Sequence, residues 1–175
     1  MEEFICRRAT REDLLKRWDY LINIHPGNNA WVLFRKYAIR NFDDGSAIPY
    51  YGFLNGEIIC EVTAIVKPSG FDDDISEHDG LLTDTMAYLS AFRTDKVYEG
   101  KGYFSKLFKF VENDLKNMGY KELSLGVGPE DVRNIEIYFH LGFREYIKTT
   151  IEHDPPKDEF TIPEDEFVNF YKKKI

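Results

Sequence analysis

Cysteine is nearly missing: Cys6 and Cys60 are the two in 175 residues. No disulfide framework is available, and two thiols with four scattered histidines lack zinc-site spacing, so no metal is expected. Long apolar runs are missing too, since none approaches the ~20 residues that cross a bilayer. Met1-Glu2-Glu3 carries no apolar core of a signal peptide. The expectation is a cytoplasmic protein with no membrane partner. Basic charge is in the minority, 23 Lys and Arg against 31 Asp and Glu for a net charge of −8. That composition lacks the basic face of a general nucleic-acid binder, although it leaves room for a local phosphate site.

What remains is a globular composition, 43% hydrophobic and 31% charged, rich in Phe (14) and Tyr (11). The length suits one domain over 1–175, with 155–175 as a C-terminal extension. Phe4–Arg8 reads as a short strand. Thr10 with Asp13 forms a capping box, and Leu14, Leu15, Trp18, Leu21 and Ile22 follow at helical spacing to about Asn23. A second helix fits Ala30–Asn41. Strands Ile48–Leu54 and Glu57–Val66 flank Asn55-Gly56, a hairpin signal. Residues 67–83 read as an irregular acidic loop (Asp72, Asp73, Asp74, Glu77, Asp79), either solvated or a rim that attracts a cationic acceptor.

Further along, a strand fits Thr85–Arg93 and a helix Tyr103 to about Met118, with Phe104, Leu107, Phe108, Val111 and Leu115 inward. Leu123, Leu125 and Val127 alternate as a strand. A helix starts near Pro129 and stops at Gly142. Phe143–His153 reads as a strand, and Pro163–Lys174 as a short helix with Lys172-Lys173-Lys174 a solvated end. The fold class is therefore α/β, in the order β-α-α-β-β-β-α-β-α-β around a central twisted mixed sheet.

The stretch Thr94 to Leu107 joins a strand to a helix and holds Gly100 and Gly102. Glycines there let a backbone approach a ligand. The helix that follows offers unpaired amides and the positive end of its dipole, an anion site. Lys101, Lys106 and Lys109 add positive charge. A bare strand-to-helix turn that needs glycine only for geometry is the other reading. The Walker pattern is absent, and a dinucleotide fingerprint fails because Ser105 stands where its third glycine belongs.

Here the sequence resembles the GNAT superfamily of acetyl-CoA-dependent N-acetyltransferases. Glu99-Gly100-Lys101-Gly102-Tyr103-Phe104 matches its glycine motif, with Glu99 in place of Gln or Arg and Phe104 in place of a small residue. Tyr138-Phe139-His140-Leu141-Gly142-Phe143 matches its second motif, a helix with tyrosine four residues before Gly-Phe. Asp131 stands where the family often has Asn, with Asn134 nearby. The resemblance implies a GNAT-type fold, acetyl-CoA as cosubstrate without a metal, and a small-molecule or protein amine acceptor. The acidic composition mildly favours a cationic acceptor such as a polyamine or aminoglycoside. Segments 20–35 and 67–83 are expected to line its pocket. The aromatic-rich helices and the C-terminal tail offer a surface for a homodimer.

The resemblance also implies roles. Coenzyme contacts fall to Glu99, Gly100, Lys101, Gly102, Tyr103, Phe104 and Ser105 on the turn, and to Phe92, Thr94, Asn134 and Tyr138 beside it. Gly126 and Gly128 let the pantetheine lie between splayed strands, or mark a bulge or turn. An amide near Phe92–Thr94 polarises the thioester oxygen, and Tyr138 hydrogen-bonds to the leaving sulfur. Deprotonating the amine falls to Glu61, to Asp84, or to a water held by Ser90 or Tyr88. Glu61 and Asp84 also read as ordinary surface or hairpin carboxylates. Cys6 and Cys60 read as buried strand thiols, and His140 as a surface residue. A non-catalytic acyl-CoA-binding sensor or regulatory module is the alternative function, and a nucleotide-binding protein with a coincidental glycine turn a third.

Overall fold

The computed structural model describes residues 3–71, 78–153, 156–160 and 165–175. The expected loop residues Asp72, Asp73, Asp74 and Glu77 lie outside them. In chain order the elements are β1 (Phe4–Arg8), α1 (Arg11–Ile24), α2 (Ala30–Asp43), β2 (Ala47–Leu54), β3 (Glu57–Ile65), β4 (Met86–Thr94), α3 (Tyr103–Asn117), β5 (Glu122–Val127), α4 (Val132–His140), β6 (Glu145–His153) and β7 (Asp165–Lys174). Local signals place most of them. The Thr10 hydroxyl accepts from the Asp13 amide at 3.2 Å, and Asp13 returns the bond to the Thr10 amide at 2.7 Å, which closes the capping box of α1. The turn at Asn55-Gly56 joins β2 to β3 in antiparallel register.

The strands form a seven-stranded mixed sheet in the order β1-β2-β3-β4-β5-β7-β6. Every neighbouring pair is antiparallel except β4 with β5. Leu107, Phe108, Val111 and Leu115, one stripe of α3, are buried against Tyr50, Ile59, Val62 and Leu89 of the sheet. Each such side chain contributes about 1.5–3 kcal/mol by leaving water. On the opposite face Leu14, Trp18 and Leu21 of α1 pack on Tyr51, Phe53 and Ile58. Phe104, expected inward, is half-buried and packs its ring 5.7 Å from Phe92.

The helix expected over Pro163–Lys174 begins outside the described residues, and from Asp165 on the chain is instead β7, which lies between β5 and β6 and pairs with both. Its residues tolerate either conformation, and partners far away in sequence decide. Phe170 is fully buried between its neighbours. Two of the three lysines are engaged, while Lys174 is exposed: Lys172 reaches Glu122 at 3.0 Å and Glu145 at 3.3 Å, and Lys173 pairs with Glu112 and donates to the Leu141 carbonyl at 2.8 Å. Helix α4 starts at Val132 rather than near Pro129, because the Asp131 side chain accepts from the Asn134 amide and caps it there.

Candidate active site

The sheet opens at its centre. Strands β4 and β5 pair over only Met86–Tyr88 and Glu122–Ser124. Beyond Tyr88 the register of β4 against β3 slips between Glu61 and Thr63, and Ala91 takes φ +56°. A left-handed alanine costs about 1–2 kcal/mol, so the fold holds β4 in a bulge that it would not adopt alone. The bulge turns Phe92 and Thr94 toward one cavity and Ser90 and Ala91 toward another.

The first cavity is a groove of about 810 Å³ between the strand ends, α1, α4 and the start of α3. That volume lies within the usual range for ligand sites. Gly100 and Gly102 have φ of +71° and +81°, and no side chain caps α3. The first-turn amides of a helix lack intrahelical acceptors, and here Gly102, Tyr103, Phe104 and Ser105 line the groove. A Cβ on Gly102 would meet nothing within 4 Å, so its glycine serves backbone conformation and not packing. This end therefore fits a phosphate group. Glu99 bonds to Arg133 at 2.7 Å, which offsets its charge beside an anion site. The Lys101 ammonium lies 5.7 Å from the Tyr98 ring centre, and Lys101 is not among the residues that line the groove.

Phe92, Thr94, Asn134 and Tyr138 line the same groove. The Tyr138 ring is buried, 5.0 Å from Phe92. Burial, with the Asp131 charge adding to it, pushes its hydroxyl up to about 12. Asn134 bonds to Asp131 through both its amide and its side chain, at 3.2 and 2.5 Å. Gly126 is explained by packing: a Cβ there would sit 2.7 Å from the Phe170 ring. A Cβ at Gly128 has only the Phe167 carbonyl oxygen near it, at 3.9 Å.

The second cavity, about 210 Å³, lies across the bulge against α1 and α2. Ser90 and Glu61 both line it. Glu61 is no surface carboxylate, being 3% exposed, with Oε2 accepting from Arg17 Nε at 2.6 Å and Oε1 accepting from Arg93. Arg17, 2% exposed, also donates to Asp95 at 2.9 Å. Burial lowers the Arg17 pKa, but the Glu61 charge and the bond to Asp95 raise it further, so the guanidinium stays charged. Asp84 is exposed just before β4, at the end opposite the bulge, and Tyr88 is buried against Phe71 and Phe170. Of the expected acceptor segments, Phe34 and Gly70 reach this cavity, but Leu14, Trp18, Ala38 and Asn41 reach it too. Sequence reasoning missed Arg17, Arg93 and Asp95. Arg17 left a signal, a charge within the apolar stripe of Leu14, Trp18 and Leu21.

The cysteines are poor nucleophiles. Burial raises both, Cys60 to about 12 with Cys6 adding to the shift, and a nucleophilic cysteine must be a thiolate. His140 is exposed at the lip of the groove. Among the described residues no helix is long and apolar enough to cross a membrane, and no group of three or more His, Cys, Asp or Glu could hold a metal ion.

No curated protein is similar enough in sequence to match the chain. Solved structures share its fold. The IAA acetyltransferase from Bacillus cereus superposes with a TM-score of 0.64 at 14% identity, covering 99% of this chain and 100% of its own. A ribosomal-protein-alanine N-acetyltransferase from Brucella melitensis gives 0.64 at 14%, covering 98% and 99%. A GNAT family acetyltransferase from Elizabethkingia anophelis, with acetyl-CoA bound, gives 0.60 at 18%, covering 98% of each. The model of the acetyltransferase (GNAT) family matches residues 11–143, which include both glycine turn and Tyr138 helix. With most of its length matched and its central strands parted as described, this chain belongs to the GNAT family of acetyltransferases.

Proposed function

We propose that the protein moves an acetyl group from acetyl-CoA directly to a primary amine. The observation that carries this reading is the continuity of one groove from the uncapped end of α3 to Tyr138, with a second cavity across the Ala91 bulge. Acetyl-CoA, when bound, supplies an activated thioester. The amides of Gly102 to Ser105 hold its phosphates, and Glu99, tied to Arg133, keeps its carboxylate occupied. Phe92 and Thr94 border the acyl end, where a backbone amide of the bulged strand stabilises charge gathering on the thioester oxygen.

Tyr138 acts on the leaving sulfur. A phenol near 12 cannot readily surrender its proton to a thiolate whose acid is near 8.5, an uphill transfer of about 5 kcal/mol. Tyr138 therefore hydrogen-bonds to the sulfur and does not protonate it. At the other side the amine must lose a proton, which costs about 4–5 kcal/mol at pH 7 for a lysine-type group. Both oxygens of Glu61 are engaged by arginines. A water held by Ser90 relays the amine proton to bulk solvent, and the Glu61 carboxylate, held by its arginines, borders the same cavity.

The commitment of Glu61 also favours a second reading, a sensor that binds acyl-CoA without turning it over. Incubation with acetyl-CoA and a broad amine panel, read by release of free thiol, decides between them. Thiol release with at least one amine is expected. A raised melting temperature with acetyl-CoA but no release across the panel selects the sensor. No thermal shift at all removes both.

A further inference from the structure

We propose that the second cavity accepts a free hydrophobic α-amino acid and that Arg93 grips its carboxylate. This deepens the transferase reading and rests on it.

Among the described residues, Arg93 is the one that lines both cavities. It stands where the acyl end of the groove meets the acceptor space. Its guanidinium is held from several sides. Nη1 donates to Glu61, and the guanidinium carbon lies 5.4 Å from the Trp18 ring centre and 5.1 Å from that of Trp31. A guanidinium has further N–H donors in a planar fork that suits a carboxylate. Arg93 remains 28% exposed, so those donors are open to a ligand.

The charges agree. Arg17 and Arg93 are balanced by Glu61 and Asp95, so a zwitterion adds no net charge. A polyamine or aminoglycoside, which the overall acidity of the chain favoured, needs acidic walls. Glu61 is the sole carboxylate on the described lining, and its oxygens are taken. Leu14, Trp18, Phe34, Tyr51 and Ile65 make an apolar wall. The 210 Å³ they enclose equals about seven water molecules at ~30 Å³ each, room for one side chain. In an α-amino acid the amine is one carbon from the carboxylate, so gripping the carboxylate at the junction brings the nitrogen there as well. An α-amine also titrates below a lysine-type amine, which suits a site whose carboxylate is engaged.

The test uses matched acceptors: L-phenylalanine, L-phenylalanine amide, 2-phenylethylamine and spermidine. Thiol release from acetyl-CoA is measured for each. Emission from Trp18 and Trp31, which flank Arg93, is measured with coenzyme A present. Phenylalanine should exceed phenylethylamine and the amide in kcat/KM by at least about tenfold and should alone saturate the emission change. Arg93→Gln should bring that ratio close to one. Equal or better turnover of phenylethylamine, the amide or spermidine by the wild-type protein overturns the carboxylate grip and leaves the transferase intact. That comparison stands even if the variant does not fold. Phenylalanine binding without thiol release keeps the grip and overturns the transferase. Neither binding nor release overturns both.

Discussion

Arg17 and Glu61, 44 residues apart in sequence, meet at 2.6 Å in the interior, each almost wholly shielded from water. The pair ties α1 to β3 and fixes the carboxylate that borders the second cavity. Burying two charges is expensive, and removing one partner strands the other. Arg17→Met should therefore destabilise the protein by about 3–5 kcal/mol. Arg17→Met with Glu61→Leu should recover much of that loss while leaving acetyl transfer impaired. Urea unfolding of the single and double variants checks this, and equal losses in both would contradict it.

Tyr138→Phe removes one hydroxyl and keeps the ring against Phe92. If that hydroxyl only hydrogen-bonds to the departing sulfur, kcat should fall about tenfold, the equivalent of ~1.4 kcal/mol. Affinity for acetyl-CoA, read by calorimetry, should stay within about twofold. A fall of several orders of magnitude would mean that the proton itself is transferred.

Gly102→Ala and Gly126→Ala should fail in opposite ways. At Gly102 the space is open but φ is +81°, so alanine resists the turn by about 1–2 kcal/mol. The KM for acetyl-CoA should rise as the amides lose their alignment. At Gly126 the new Cβ would meet the buried Phe170 ring at 2.7 Å. Overpacking there should cost about 1–3 kcal/mol of stability, seen in the melting temperature with the substrates left aside.

Alkali should unfold the protein before it affects Tyr138 chemistry. In the unfolded chain Cys60 titrates at 9.0 and Tyr138 at 10.0, whereas burial holds each at about 12 in the fold. Between those limits the native state binds more protons, so stability falls as pH rises. The fall should begin near pH 9 and reach the order of 4 kcal/mol from Cys60 alone by about pH 12. Urea midpoints between pH 8 and 11 measure it, and Cys60→Ala should flatten the curve.

Legibility in the sequence followed the range of the interactions. The capping box at Thr10, the Asn55-Gly56 hairpin and the glycine turn before α3 are each built within a few residues, and their residues announce them. β7 was hidden because its conformation is chosen by β5 and β6 and not by its own spacing. Gly126 reads from the sequence as room for a ligand or as a bulge or turn, and its contact with the Phe170 ring, which no local pattern reveals, gives it a packing reason. Arg17 and Arg93 escaped notice because their meaning lies in partners on other elements.

Among the described residues, strand β6 has no neighbour in the sheet except β7. A ribosome delivers β6 first, so that strand must wait unpaired while the glycine turn and strands β1 to β4 are already made. Docking of the segment from Asp165 onward then zips two ladders at once, one on each of its edges. A nascent chain stalled before that segment should expose both edges of β6 and the open edge of β5 to chaperones, whereas one released after it keeps the outer edge of β6 alone.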